Sequence, residues 1–386
     1  MAEKHIDLFM FIDALGWEIV NKHHFLEEEF SYRYPVKMQF GYSSTAIPTI
    51  LSGEPPTVHK HLSFYYYNPQ KSPFRHLKFL RWLPHFIAGR WRFRHIISKI
   101  IAKLFGYTGY FELYAMPFTK LPLFDYIEKK DIFIPGGLSP VDNIADKADE
   151  YGLKYHISNW RLSEDENISA LEADLRKGDL QFAFLYTAAM DSLLHRVTKD
   201  GAEVAEKLDW YRKRILSLKL LLESKYDSYT FTVFSDHGMT TLLGTVDLIK
   251  DISSLGFKEG QDYAAVYDST MGRFWFFNEK ARNDVTTMLN TYDHSTLLSG
   301  EDKIRYGIDF SDDMYGEEIL LLDPGWQFQP CDMGLNALPA MHGYAPEDKD
   351  SMAASLSVGD PDIKPAWVGD YFKMMLFAME KQKRYF

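Results

Sequence analysis

The chain has 386 residues, 46% of them apolar and 16% aromatic, which supplies a substantial buried core and argues against extended disorder. Its net charge of −11 gives no support for a nucleic acid polymer as the main partner. The single cysteine, Cys331, excludes a disulfide framework within the chain and a cysteine-built zinc site. The apolar run Leu8–Ile12 is too short for a signal h-region, and no run of ~18 apolar residues occurs. The expectation is therefore no membrane-spanning helix and a cytoplasmic location by default.

In chain order, His5 to Ile12 reads as a buried strand closed by Asp13-Ala14-Leu15-Gly16. Residues 14–30 read as helical. Gly41-Tyr42-Ser43-Ser44-Thr45 reads as a loop leading into a short helix through Ile50-Leu51, with Ser and Thr as natural N-caps. Leu180 to Tyr186 is a second strand-length run, ending before Asp191. Val204, Leu208, Tyr211, Ile215, Leu218 and Leu222 then repeat at spacings of three and four, the mark of an amphipathic helix. Tyr229 to Phe234 is a third strand, closed by Ser235-Asp236-His237-Gly238. Strand, helix, strand in that order predicts a mostly parallel sheet with helices on its faces.

Functional groups in such sheets gather beyond the carboxyl ends of the strands. Asp13, Asp191 and Asp236-His237 all stand just past a strand end. Asp191 and His195 are four apart, so a helical turn puts them on one face where both can hold one ion. His342, in His342-Gly343-Tyr344, supplies a third imidazole. Mixed Asp and His ligation suits Zn²⁺, with Mn²⁺ as the second choice. Singly, each signal also has a plain structural explanation, since an Asp after a strand commonly caps a helix.

Together these residues resemble the alkaline phosphatase superfamily, in its branch of type I phosphodiesterases and nucleotide pyrophosphatases. Phe11-Ile12-Asp13-Ala14-Leu15-Gly16 is similar to that family's first metal-aspartate strand. Ser43 stands ten residues before Gly53 of Ser52-Gly53, where the family places its nucleophile. Asp191-x-x-x-His195, Ser235-Asp236-His237-Gly238-Met239 and His342-Gly343-Tyr344 are similar to its remaining ligand motifs, in family order. Gly316-Glu317-Glu318-Ile319 with Asp323-Pro324-Gly325-Trp326 resembles its late strand and loop. One departure is His59-Lys60, where the family has His-Gly.

The resemblance implies one alkaline-phosphatase-like three-layer α/β core over 1–386, with a basic aromatic insertion at 60–135 and a cap at 245–340. It implies two divalent metal ions, probed first as Zn²⁺. Asp191, His195 and His342 would take one; Asp13, Asp236 and His237, with the Ser43 hydroxyl, would take the other. The implied reaction is phosphodiester hydrolysis through a covalent phospho-Ser43. Its alternatives are a phosphomonoesterase or phosphonate hydrolase, a phospho-alcohol transferase on a lipid- or sugar-linked substrate, and a non-catalytic metal-binding module. Ser43 is not followed by the Pro and Arg of the sulfatase pattern. The expected partner is a small phosphate ester or a glycan- or lipid-linked one.

Residues 71–103 stand apart. They carry Lys71, Arg75, Lys78, Arg81, Arg90, Arg92, Arg94, Lys99 and Lys103, interleaved with Trp82, Phe86, Trp91 and Phe93, and no Asp or Glu occurs from Thr57 through Phe111. Ile97, Ile100, Ile101 and Leu104 can form an apolar helical face. Three readings stay open: peripheral contact with an anionic membrane, guidance of an acidic substrate, or a packed insertion with a solvated basic side.

Overall fold

The computed structural model describes residues 4–82 and 89–384; Phe86, one of the interleaved aromatics, lies outside them. The chain divides into two compact units: residues 1–59, 132–241 and 346–386, and residues 60–131 and 242–345.

The first unit is built on six strands: β1 (His5–Ile12), β2 (Tyr32–Val36), β3 (Tyr155–Ile157), β4 (Phe182–Thr187), β5 (Ser228–Phe234) and β6 (Ala353–Ser357). Their order across the sheet is β2-β6-β5-β1-β4-β3. β5, β1, β4 and β3 run parallel, while β6 lies antiparallel to both β5 and β2. A strand with parallel partners on both sides and helices on both faces has no solvent face, so its sequence runs apolar without alternation. β1 shows this: from Ile6 to Ile12 every residue is buried.

Helices cover the sheet: α1 (Trp17–Lys22), α2 (Ser43–Ser52), α3 (Ile144–Glu150), α4 (Glu164–Leu175), α5 (Ala189–Val197), α6 (Ala202–Lys225) and α7 (Asp370–Arg384). Phe9 and Phe11 of β1 pack with Ile47, Ile50 and Leu51 of α2 and with Tyr371, Met375 and Met379 of α7 in one core cluster. The six apolar positions read as the stripe of α6 are all buried. The architecture is a mostly parallel sheet flanked by helices.

Two local readings change. The expected helix over residues 14–30 is only α1, because His24 and Leu26 take positive φ values of 47° and 56° and break the chain into turns. α2 begins at Ser43 itself. Its N-cap is Tyr42, which makes no side-chain capping bond, because a tyrosine lacks the short side-chain oxygen that a cap needs.

In the second unit, Tyr263–Tyr267, Met271–Phe276, Glu318–Leu322 and Ser295–Leu297 form a four-stranded antiparallel sheet in that order. Ala264, Val266 and Trp275 of this sheet share a core cluster with Tyr65, Phe74, Leu113 and Tyr126. The fully buried Arg273 guanidinium joins the unit's two stretches of chain. It donates to Asp268 Oδ2 (2.7 Å), the Tyr65 carbonyl (2.8 Å) and Ser63 Oγ (3.0 Å). Buried Lys120 does the same toward Asp332, at 2.8 Å. Burial works against its charge, but Asp332 and Glu259 outweigh that and hold its pKa above the ordinary lysine value. Cys331 is buried, and burial pushes its thiol up to about 11.

Candidate functional site

Parallel pairing fixes the site. Phe11 of β1 lies opposite Phe234 of β5, and Ile12 opposite Thr187 of β4. The three strands therefore end level, and Asp13, the α5 start and Asp236-His237 emerge together at the carboxyl edge.

Each group is held by its own backbone. The Asp13 amide donates to the Thr187 carbonyl at 3.0 Å. Ala14 adopts φ 61°, a left-handed conformation that costs a non-glycine residue roughly 1–2 kcal/mol. The Ala14 amide donates to Asp236 Oδ1 at 3.2 Å, and the His237 amide donates to the same oxygen at 3.0 Å. Oδ1 is thus saturated, whereas the buried Oδ2 accepts no hydrogen bond from the described residues. Ser235 fastens this strand end: its Oγ donates to the Leu15 carbonyl (2.7 Å) and accepts from the Ala354 amide (3.0 Å). The motif's glycine is a packing requirement, since a Cβ on Gly238 would fall 2.1 Å from the Asp350 carbonyl oxygen.

His237 is fully buried, with Nδ1 2.8 Å from the Gly238 carbonyl. A carbonyl only accepts, so in the neutral ring the hydrogen sits on Nδ1 and Nε2 carries the lone pair. That lone pair points at Ser43 Oγ (2.9 Å), Asp236 Oδ2 (3.3 Å) and Asp13 Oδ1 (3.6 Å). Ser43 Oγ is also 3.5 Å from Asp13 Oδ1. Ser43 is the first residue of α2, where the helix dipole favours negative charge.

Asp191 and His195 lie in α5, with Oδ1 and Nε2 3.4 Å apart. Asp13, Asp191 and His237 each offer a ligand atom, all within 4.8 Å of one another. His342 belongs to the second unit. It is buried and follows the short strand Ala340–Met341, and the Gly343 carbonyl after it accepts from Thr270 Oγ1 at 2.8 Å. The first unit thus gathers six of the seven residues singled out in sequence: Asp13, Ser43, Asp191, His195, Asp236 and His237.

The donor set fits divalent cations. Carboxylate oxygens and an imidazole lone pair that converge without a proton between them repel one another, and a cation relieves that. Burial, with the Asp236 and Asp191 charges, pushes Asp13 well above the usual carboxylate range. Burial also raises Asp236, against the lowering effect of His237 and the Ala14 amide.

One positioning residue gave no signal in sequence. Glu164, at the start of α4, accepts from the Ala189 amide at 3.0 Å and so caps α5, the helix of Asp191 and His195. Lys207 (2.5 Å) and the Tyr211 hydroxyl hold its carboxylate. The Ser163/Glu166 capping box announces α4 itself, but nothing local announces a contact 25 residues away.

Residues 8–345 match the family described as type I phosphodiesterase / nucleotide pyrophosphatase. No curated protein matches the chain. Among solved structures, human ectonucleotide pyrophosphatase / phosphodiesterase 5 aligns with a TM-score of 0.69 at 13% identity, over 97% of this chain and 95% of that one. An inactive form of the murine protein in complex with AMP gives 0.66 at 14% identity, over 97% and 95%. Phosphonoacetate hydrolase from Sinorhizobium meliloti 1021, in complex with phosphonoformate, gives 0.65 at 11% identity, over 98% and 96%.

Proposed function

Since the chain belongs to the type I phosphodiesterase / nucleotide pyrophosphatase family of phosphoric ester hydrolases, we propose that it is a metal-dependent phosphodiesterase that works through a covalent phospho-Ser43. The observation that carries this reading is the Ser43 hydroxyl, 2.9 Å from His237 Nε2 and bordered by Asp13.

Asp13, Asp236 and His237, with Ser43 Oγ, would hold one ion; Asp191, His195 and His342 would hold the other, with Zn²⁺ first and Mn²⁺ second. Bound there, the cations supply Lewis acidity, favouring the serine alkoxide and offsetting phosphoryl charge. The chain's own part is placement. The Ser235 and Ala14 bonds fix the Asp236-His237 corner, the Gly238 carbonyl fixes the ring, and α2 presents Ser43 Oγ at its positive end. Ser43 Oγ bonds to phosphorus as the bond to one alcohol breaks. The Ser43 proton passes to water and the alkoxide departs. Water then attacks phospho-Ser43, the Oγ–phosphorus bond breaks, and a phosphomonoester leaves with the serine regenerated.

The test pairs metal analysis of the purified protein with turnover of bis-p-nitrophenyl phosphate, p-nitrophenyl phosphate and a phosphonate. Diester turnover that is lost on chelation and restored by Zn²⁺ or Mn²⁺ is expected. A large preference for the monoester or the phosphonate would replace the diester assignment. A protein that takes up metal yet turns over none of the three would count against catalysis itself.

A further inference from the structure

The helix Trp91–Phe105 packs Phe93, Ile97 and Ile101 toward the core yet carries a second apolar stripe on its outer side, where a surface helix is usually polar. The residues it buries are Arg94, Ser98 and Ile101. Arg94 Nη1 donates to the carbonyls of Tyr114 (2.9 Å) and Met116 (2.8 Å), and Ser98 Oγ donates to Glu112 Oε1 at 2.6 Å. The helix is anchored inward by these polar contacts together with Phe93, Ile97 and Ile101, which pack on the cluster of Tyr65, Phe74 and Leu113.

On the opposite side, at ~100° per residue, Ile96, Ile100 and Leu104 form one stripe, 56%, 49% and 75% exposed. Arg92, Lys99 and Lys103 are exposed along one flank of that stripe. The preceding turn-rich helix Pro73–Trp82 adds Phe79 and Trp82, 63% and 78% exposed. Among the described residues, seven of the seventeen exposed large hydrophobics fall between Phe79 and Phe105, so the apolar exposure is concentrated rather than scattered. The charge is just as local: a chain of net charge −11 has no acid between Thr57 and Phe111.

We propose that this face docks the protein on an anionic lipid surface. The stripe would enter the headgroup boundary while the flanking cations pair with acidic lipids. Two features select this occupant. A second copy seated on the same face would set cations against cations, and the aliphatic side chains of Ile96, Ile100 and Leu104 gain by burial among acyl chains, which a nucleic acid does not offer. Among the described residues no helix is long and apolar enough to cross a membrane, so the contact is interfacial.

The full chain is sedimented with vesicles of phosphatidylcholine containing about one-third phosphatidylserine, and with pure phosphatidylcholine vesicles, at low and high salt. Anionic vesicles are expected to bind at least ~10-fold better, with the advantage lost at high salt. Replacing Ile96, Ile100 and Leu104 together by Ser should cut partitioning ~100-fold, and Arg92, Lys99 and Lys103 together by Gln should cut it ~10–100-fold. Hydrolysis of a soluble diester should be unchanged in both. Because a variant could misfold, quenching of wild-type tryptophan fluorescence by brominated lipid gives a second readout, expected to weaken in Trp91→Phe. Absence of binding to anionic vesicles at low salt would overturn the proposal. So would variants that sediment like the wild type, or a face that instead captures RNA or a second copy of the chain.

Discussion

The Ser43 hydroxyl faces His237 Nε2 at 2.9 Å, and the same ring is tied at its other nitrogen to the Gly238 carbonyl. A hydroxyl set beside a buried lone pair and two carboxylates lies where a divalent cation would favour its alkoxide form. Ser43→Ala is expected to keep the fold and its metal content while turnover falls by at least ~10³-fold. Metal analysis and a steady-state assay on the same preparation check this; near-normal turnover would remove Ser43 as nucleophile, leaving Ser44 and Thr45 as candidates.

Gly238 is where backbone meets backbone. An added Cβ would sit 2.1 Å from the Asp350 carbonyl, and neither side is a flexible side chain that could swing away. Gly238→Ala should cost about 2 kcal/mol of stability and, by displacing the His237 ring, ~100-fold in turnover. A melting curve and an assay together check it; an active, unshifted variant would show that the corner has slack.

Burial pushes the Glu128 carboxyl up to about 8, with the Tyr110 amide working the other way. The folded chain therefore keeps a proton that the unfolded chain releases above about pH 4.5. Stability from this group falls as pH rises between about 4.5 and 8, by up to about 4 kcal/mol, and is flat below that window. Glu128→Gln should remove the slope and raise the melting temperature at pH 8 but not at pH 4.5. Parallel slopes in variant and wild type would assign the pH dependence to other groups.

Arg273 is fully buried with Asp268 and Ser63. Arg273→Met leaves Asp268 charged and buried, and should cost about 3–5 kcal/mol. Adding Asp268→Leu should recover most of that loss, because the stranded charge is then gone. Urea melts of the two variants measure the coupling; an unrecovered double variant would show that the contacts to the Tyr65 carbonyl and Ser63 matter more than the ion pair.

Much of the site could be read from the chain because its cues are local. An apolar run ending in an acid marks a strand end, and a four-residue spacing puts Asp191 and His195 on one helix face. What was misread depended on distant contacts. The helix expected over residues 14–30 stops at Lys22, where turns at His24 and Leu26 intervene. Nothing near Ser43 announced that its hydroxyl would face His237, since that partner is 194 residues away. Lys60, in the place of the family's glycine, adopts φ 71°, which explains why glycine suits that position. The four residues expected to form one apolar face divide: Ile101 is buried, Ile97 half-buried, and Ile100 and Leu104 exposed.

Three strands, the apolar stripe of α6 and the acids and histidines at the strand ends were legible in the order of residues alone, because hydrophobic period and residue chemistry are properties of a few neighbouring positions. That Asp236 spends one oxygen on backbone amides and keeps the other open, that His237 turns Nε2 toward Ser43, and that Ile96 and Ile100 face solvent while Ile101 is buried emerge from the folded chain alone. Those outcomes depend on strand register and packing between segments far apart in the chain, which no local pattern encodes.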